Sequence, residues 1–356
     1  MMIYTYPGSI HIHSIYSDGS GSVPEIAAAA AAAGMRYIII TDHNSLQAFR
    51  EEGFYGSVAV LAGVEFNKKC CHYLALGLSD LLPCNDENPQ QLINAVNAAK
   101  GFGFIAHPFE KGSPYIDGGV AFPWNNWPVF GFTGMEIWNY SSYWRGRATS
   151  IPRALYWFLL NRKAAMDGPP PECLRLWDCY TAAGQAVVAI GGLDAHAVRR
   201  RVALIPVEIF PYRFLFRTIN TYICLREQLH EDFAQAKKQI YAALSEGRCY
   251  VAFDQIHPGE GFSFTARRRQ NPSEDVLMGE ALNYEEGLRL KVQAPSSRSL
   301  IRLIHNGRLL VQQKGGTFSH VPEAPGVYRV EVYYRSLWGR ARPWLFSNPI
   351  YLQSMK

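Results

Sequence analysis

Short apolar runs alternate with helical segments along the first part of the chain. The clearest run covers residues 37–41, and similar runs lie near 58–66, 72–78, 103–107, 134–139 and 186–191. Residues 23–33 have the composition of a helix, with Pro24 in the first turn and Gly34 just beyond the end. Further helices are predicted near 89–100, 172–184 and 230–246. Continuous apolar runs are typical of strands that are buried on both faces, so the alternation predicts an α/β fold with a mainly parallel sheet.

Two segments interrupt this pattern. Residues 109–171 are rich in Trp, Pro, Gly and Asn, and contain a helical pattern near 153–165. Residues 198–222 form a second insertion, which is expected to be irregular. A long aromatic insertion can be a lid or substrate wall, or it can simply pack on the domain beside it. Its aromatic residues are Trp124, Trp127, Trp138, Tyr140, Tyr143 and Trp144.

The pattern changes after about residue 252. Short strand-like runs follow one another, separated by turn signals such as Asn306-Gly307 and Pro325-Gly326. Residues 327–333 alternate apolar and polar side chains, as a half-buried antiparallel strand does. We therefore predict an α/β domain over residues 1–252 and a small all-β sandwich over residues 253–356.

Composition excludes several classes of protein. The chain has 356 residues, 48% of them hydrophobic, so it can form a packed core. Its net charge of +5 is small, and the clusters 199–201 and 267–269 are short, so there is no strong signal for a nucleic-acid polymer. No apolar stretch reaches about 18 residues, and the N-terminus does not resemble a signal peptide. Seven cysteines, an odd number, are consistent with reduced thiols. We expect a cytoplasmic protein with no membrane partner, and leave a homo-oligomer open.

Two pairs of potential metal ligands are each spaced by two positions. They are His11 with His13, and Asp194 with His196. Side chains at this spacing on a strand leave the same face, so both members of a pair can reach one ion. The second pair follows the apolar run 187–192, whose final glycines allow a close approach of backbone or metal.

Further histidines and acids end other apolar runs. Taken singly, each histidine is more often a packed or exposed residue than a ligand, but six of the ten histidines fall in this set. Asp42 either orients His43 or caps the preceding strand. Imidazole and carboxylate groups bind Zn, Mn and Fe alike, so the combination predicts a multinuclear metal site. The remaining candidates are Asp18, His43, Glu65, His72 and His107.

These residues stand in an order that resembles the PHP (polymerase and histidinol phosphatase) domain family. The resemblance extends over residues 10–197. Residues 247–251 and 343–351 are also similar to the branch of this family that includes a carbaryl hydrolase and carries a trailing β-domain. The motifs are His11-x-His13-x-x-x-Ser17-Asp18-Gly19, Thr41-Asp42-His43-Asn44, Gly63-Val64-Glu65, Ala106-His107-Pro108 and Asp194-Ala195-His196.

The resemblance implies a fold and a ligand assignment. The fold would be a distorted (β/α)7 barrel with two to three divalent ions, Zn, Mn or Fe, at the carboxyl ends of its strands. His11, His13 and Asp194 would hold the first ion, and Glu65 would bridge it to a second ion completed by His72 and His107. Asp18, His43 and His196 would hold a third ion and make the centre trinuclear. Glu65, Asp194 and His196 are the predicted catalytic residues.

The implied activity is hydrolysis by a hydroxide that bridges two metal ions. The expected substrate is a small molecule, a phosphorylated metabolite or a nucleotide, and Arg145, Arg199 and Arg200 are candidates to bind its phosphate. An aromatic pocket would instead favour a neutral aryl ester, carbamate or amide. A third alternative is a metal-binding or interaction protein without catalytic activity.

Overall fold

The computed structural model describes residues 3–67, 70–84, 87–202, 205–268, 275–337 and 340–354. Within them lie helices of four to thirteen residues. The helices are α1 (Val23–Ala32), α2 (Pro89–Ala98), α3 (Tyr140–Arg147), α4 (Ile151–Leu159), α5 (Pro171–Ala182), α6 (Tyr212–Leu215) and α7 (Phe233–Ser245).

The first twelve strands lie between or beside these helices. Most of them are fully buried, as the apolar runs predict. They are β1 (Tyr4–Ile12), β2 (Tyr37–Ile40), β3 (Gly53–Tyr55), β4 (Val58–Phe66), β5 (Tyr73–Leu76), β6 (Phe102–Ile105), β7 (Gly134–Asn139), β8 (Val188–Gly192), β9 (Val198–Val202), β10 (Ile205–Ile209), β11 (Ile219–Leu225) and β12 (Cys249–Phe253).

All described elements after β12 are strands. Their apolar residues form a second core, separate from that of the α/β region. The strands are β13 (Ser263–Arg267), β14 (Asp275–Leu277), β15 (Ala281–Asn283), β16 (Arg289–Gln293), β17 (Ser299–His305), β18 (Arg308–Lys314), β19 (Thr317–His320), β20 (Gly326–Arg335), β21 (Ala341–Ser347) and β22 (Ile350–Gln353). The boundary between two domains at residue 252 stays a prediction, because β12 and β21 pair within one continuous sheet.

The sheet that carries the site has the order β11-β1-β2-β4-β5-β6-β7-β8. It is mixed rather than mainly parallel, since β5 pairs in the antiparallel sense with both β4 and β6, and β11 pairs in that sense with β1. The short connection between β4 and β5 explains this difference, because a parallel crossover needs a dozen or more residues. The structure is therefore mixed α/β, and the strand path of the described residues does not close into the predicted (β/α)7 cylinder.

Single side chains connect β8, at one end of this path, to β11 at the other end and to β12, the neighbour of β11. Asn348 is buried between β8 and β12: its Oδ1 accepts from the Ala189 N–H at 2.7 Å, and its Nδ2 donates to the carbonyls of Ala189 and Cys249, both at 2.9 Å. Thr221 Oγ1 accepts from the Gly191 N–H at 2.9 Å. After the end of β8 the connection is made by main-chain hydrogen bonds, such as the one that the Ala195 N–H donates to the His11 carbonyl at 3.1 Å. We call this line of contacts the seam.

The two predicted insertions contain more regular structure than expected. Residues 198–222 hold a hairpin of β9 and β10, in which Arg199 pairs with Glu208, followed by α6. Residues 109–171 contain α3 and α4, and the helical pattern near 153–165 divides into α4 and a 3₁₀ turn at Arg162–Ala165.

Among the described helices, none has both the length and the apolar character that a bilayer-spanning helix requires.

The seam gives a prediction for stability. Asn348 is only 1% exposed, and replacing it by alanine removes the side-chain partner of the buried Ala189 N–H and of the Ala189 and Cys249 carbonyls. The main-chain N–H of residue 348 still donates to the Cys249 carbonyl at 3.4 Å. We expect Asn348→Ala to lower the free energy of unfolding by about 3 kcal/mol, measured by urea denaturation. Asn283→Ala, at an exposed position of β15, is the matched control and should change it little. A loss below about 1 kcal/mol in Asn348→Ala would show that the seam does not depend on this side chain.

Candidate metal centre

The predicted ligands meet at one edge of the sheet. His11 and His13 lie at the end of β1, His43 follows β2, Glu65 lies near the end of β4, and His107 follows β6. Asp194 and His196 follow β8, and Asp18 lies in the loop after β1. His72 precedes β5, and because β5 is antiparallel to β4, its beginning lies at the same edge as the ends of the other strands. The structure thus brings all nine predicted residues together.

The donor atoms fall into three groups. Within each group they lie within 4.8 Å of one another, a spacing that allows a single ion to be bound. His13 belongs to two of the groups, and Glu65 also belongs to two, so adjacent groups share a ligand. The groups are His11, His13, Glu65 and Asp194; Glu65, His72 and His107; and His13, Asp18, His43 and His196.

Three of these residues have a left-handed backbone. The φ angles are +68° at His11, +24° at His107 and +52° at Asp194. A non-glycine residue in this region costs on the order of 1–3 kcal/mol, and such strain clusters at functional sites. At His11 the strain accompanies a shift of register between β1 and β2. His11 and His13 therefore do not share a face by simple alternation along a regular strand, as their spacing suggests, but through this bulge.

The buried ring nitrogens fit a metal centre. His13 Nε2 and His43 Nδ1 each lie 3.1 Å from Glu65 Oε2, but neither has a hydrogen-bond partner among the described residues. The two nitrogens thus lie close to the carboxylate oxygen without forming a hydrogen bond to it. Nitrogen and oxygen donors that converge without hydrogen-bonding are the arrangement that a transition-metal ion satisfies. The donor set consists of imidazoles and carboxylates, which suit Zn, Mn and Fe.

Opposite charges stabilise the cluster. Burial disfavours protonated His11, but Glu65, Glu136 and Asp194 outweigh this effect and keep its pKa well above the usual value. Burial likewise disfavours ionised Glu65, yet His11 and His72 hold its pKa well below the usual range. For His43 burial prevails and lowers the pKa to about 4. The carboxylates are thus ionised and ready to bind a cation.

Glu136, on β7, is a buried residue of the site that the sequence analysis missed. Its Oε1 accepts from His11 Nδ1 at 2.7 Å, and its Oε2 accepts from the His107 N–H at 2.8 Å and from Asn139 Nδ2 at 2.9 Å. When His11 is neutral, a proton placed on Nδ1 leaves the Nε2 lone pair free for a metal. The Glu136 carboxylate therefore orients the ring of His11, in the first group, and the backbone of His107, in the second.

Gly192 provides the space for this carboxylate. A Cβ atom built on Gly192 would lie 1.7 Å from Glu136 Oε1, so any side chain there would displace Glu136. The sequence offered a signal for this arrangement, since Gly191-Gly192 ends β8 beside the predicted ligands. It gave no means of linking Glu136 to His11, which lies 125 positions away.

Asp42 does not orient His43. Its carboxylate accepts from the Ser14 N–H at 2.7 Å, from Ser14 Oγ at 2.7 Å and from Ser17 Oγ at 2.6 Å. These bonds fix the loop between His13 and Asp18. Asp42 therefore acts on the ligands of the loop after β1 rather than on its sequence neighbour.

The predicted phosphate-binding arginines Arg145 and Arg199 lie on different elements, α3 and β9. Arg145 Nη2 donates to Glu110 Oε1 at 2.5 Å and to the Val120 carbonyl at 3.2 Å. Arg199 is exposed on β9, where its charge helps to lower the pKa of Glu25, after the larger effect of the Ser22 hydrogen bonds. Arg200 also lies on β9, and its side chain is outside the described part of the structure. Their role in binding substrate stays a prediction.

The aromatic insertion is largely part of the core. Trp124, Trp138, Tyr140 and Trp144 are buried, so they do not form the walls of an open pocket. Phe122 differs, because its half-buried ring stacks on His72 with centroids 4.7 Å apart. A cavity of about 240 Å³ lies beside His107, between the loop after β6 and the start of α5. Its lining includes His107, Glu110, Glu136 and Asn139.

Comparison with known proteins gives a partial match. Residues 9–110 match the family model of the PHP domain, a span of less than a third of the chain that contains seven of the nine predicted ligands. No curated protein sequence matches the chain at a significant level.

Three solved structures resemble the chain at low sequence identity. The first is a two-domain protein of Bacteroides vulgatus containing a predicted PHP-like metal-dependent phosphoesterase, with 13% identity, a TM-score of 0.46, and coverage of 98% of this chain and 95% of that one. The second is a candidate metal-dependent phosphoesterase of Bifidobacterium adolescentis, with 16% identity, a TM-score of 0.32, and coverage of 53% and 87%. The third is an amidohydrolase of Chromobacterium violaceum with bound sulfate and no metal, with 15% identity, a TM-score of 0.30, and coverage of 58% and 92%.

The position of Glu136 leads to a test by metal content. Glu136→Gln keeps the shape of the side chain but removes the charge that holds the proton on His11 Nδ1. We expect this variant to bind metal at least about tenfold more weakly, because outer-shell partners typically contribute that much. Gly192→Ala, which displaces Glu136 without altering any ligand, should have a similar effect. Ala183→Gly, at the exposed end of α5, is the control and should bind metal as the unsubstituted protein does. Unchanged affinity in both Glu136→Gln and Gly192→Ala would contradict the proposed orientation of His11.

Proposed function

We propose that this protein is a metal-dependent hydrolase whose centre holds two to three divalent cations and cleaves a phosphate ester of a small metabolite or nucleotide. The observation that supports it is the convergence of nine donor residues into three groups that share His13 and Glu65. Sharing matters because a carboxylate common to two groups allows two cations to act on one substrate. We propose that Glu65 is this shared carboxylate.

The residues of the chain would have distinct tasks. Divalent cations bound here would lower the pKa of a coordinated water to near 7 and neutralise charge on the substrate. Glu136 keeps the His11 proton on Nδ1 and so keeps Nε2 available. Asp194 is 15% exposed at its side chain, whereas Glu65 is 1% exposed, so Asp194 faces the opening and can accept a proton from an attacking water. His196 lies at the same opening, with its Nε2 3.1 Å from Asp18 Oδ1.

The balance of charge favours a phosphate ester. Asp18, Glu65 and Asp194, the carboxylates in the three groups, carry four negative charges together with Glu136, and these offset only part of the charge of three divalent cations. The loaded centre would thus be positive and would attract a phosphate dianion. This attraction does not need the predicted arginines, of which Arg145 already binds Glu110.

Phe122 favours a second candidate function, the hydrolysis of a carbamate, ester or amide. Its ring stacks on His72 and lies half-buried beside the centre, where it could contact an aryl group of a neutral substrate. The same centre would then act on a carbonyl carbon rather than on phosphorus. A protein that binds metal without catalysis is the third alternative.

Metal content measured together with turnover separates these functions. The purified protein is reconstituted with Mn or Zn, analysed for metal, and assayed with p-nitrophenyl phosphate and p-nitrophenyl acetate. We expect two to three ions per chain and release of phosphate. Turnover of the acetate alone would replace the first proposal by the second. Bound metal without turnover on wider phosphate and acyl-ester panels would support a protein without catalysis, and no binding after reconstitution would refute the centre.

Single substitutions test the shared carboxylate. We expect three substitutions each to lower metal content and to reduce turnover by more than about a hundredfold, because bound metal and the activation of water account for most of the rate. They are His11→Ala, Glu65→Ala and Asp194→Ala. Asp80→Ala, which removes an exposed carboxylate, is the control and should retain both. Full activity in Glu65→Ala would rule out a pair of ions bridged by this residue.

A further inference from the structure

Helix α4 is apolar on the side that faces solvent. Along a helix a residue advances by about 100° per position, so the outer face of α4 extends from Ile151 through Leu155 and Leu159 to Leu160. The exposed fractions of its large apolar residues are 56% for Ile151, 51% for Leu155, 49% for Tyr156, 67% for Leu159 and 79% for Leu160. A surface helix normally presents polar residues here, so this face is adapted to an apolar environment.

The inner face of α4 already has its packing partners. Trp157 is buried, and the Phe158 ring packs against Phe210 with centroids 5.5 Å apart. The Arg162 guanidinium covers the rings of Phe158 and Phe214 at 4.8 and 4.6 Å. The exposed apolar residues are therefore not needed to attach the helix to the protein.

Cations surround this apolar face. Between Ala148 and Met166 the sequence contains Arg153, Arg162 and Lys163 and no acidic residue. Arg153 and Lys163 are exposed. The next acid, Asp167, is paired with Arg147. The combination of an apolar helix face with flanking cations complements a surface that is apolar inside and anionic outside.

Exposed residues of the same two kinds flank the ends of β20 and β21. Leu337, shortly after β20, is 79% exposed, and Arg340, directly before β21, is also exposed. Arg342, on β21, connects this strand to the segment that follows α4, because its Nη2 donates to the carbonyls of Lys163 and, at 3.0 Å, of Met166. The start of β21 and the segment after α4 are therefore in contact.

We propose that α4, together with the exposed residues Leu337 and Arg340, forms a surface that docks on a lipid bilayer with anionic headgroups. The exposed leucines would enter the boundary of the acyl chains, while Arg153, Lys163 and Arg340 contact the headgroups. The expectation of no membrane partner depended on the absence of a long apolar stretch, and docking on a surface does not need one. The proposal is independent of the hydrolase function.

Vesicle co-sedimentation of the full-length protein tests the apolar part. We expect binding to vesicles of phosphatidylcholine mixed with phosphatidylglycerol, and a reduction of more than about tenfold in Leu155→Gln/Leu159→Gln, because two side chains lose their burial. Leu309→Gln/Leu310→Gln is the matched control, since both leucines are exposed on β18. This control should bind as the unsubstituted protein does.

The charges are tested separately. Arg153→Gln/Lys163→Gln should weaken binding to the anionic vesicles by on the order of fivefold for each cation removed. Arg308→Gln/Lys314→Gln removes two exposed cations from β18 and should have little effect.

Two outcomes would overturn the proposal. One is that the unsubstituted protein does not bind the anionic vesicles, and the other is that Leu155→Gln/Leu159→Gln binds them equally well. If vesicle binding is absent and light scattering shows a dimer that Leu155→Gln/Leu159→Gln dissociates, the surface pairs with a second copy of the chain instead. Metal content should be the same in all these variants, so failure here is distinguishable from failure of the proposed hydrolase function.

Discussion

The buried carboxylate of Glu65 is the constraint on which the site depends. Five histidines from four separate parts of the sheet approach it within 3.5 Å, and none could be placed there without a group that offsets their charge or accepts their protons. A carboxylate buried alone would be costly, and so would a group of buried histidines. The negative charge of the carboxylate and the protons of the histidines compensate each other, and a bound cation would replace those protons. The histidines are His11, His13, His43, His72 and His107.

The sequence was informative where the chemistry is local. The pair His11 and His13 and the pair Asp194 and His196 were found by their spacing, and the apolar runs located β4 and β7 at the bounds that the structure has. Glu136 could not be found in this way. Its importance arises from contacts with His11 and His107, which lie 125 and 29 positions away, and from the space left by Gly192. No single segment of the chain contains that information.

Other features escaped the sequence because they depend on pairing between strands. An apolar run predicts a buried strand but not its direction, so the antiparallel position of β5 became clear only from its partners β4 and β6. The same limit applies to Arg145. Its position in an insertion near the site predicts contact with phosphate, which stays a prediction, but gives no sign of its bond to Glu110, 35 positions earlier. A charged side chain pairs with an opposite charge that lies close in space, and the local sequence pattern does not predict which residue that is.

The seam has a mechanical consequence. In a ladder of main-chain bonds, each bond is supported by the next one, so neighbouring strands resist sliding together. Along β8 the links to β11 and β12 come from the side chains of Thr221 and Asn348, so few bonds hold this edge of the strand that leads to Asp194. Asn348 lies in the connection between β21 and β22. A shift of these two strands would therefore act on β8, and through it on the approach to Asp194, by way of one side chain.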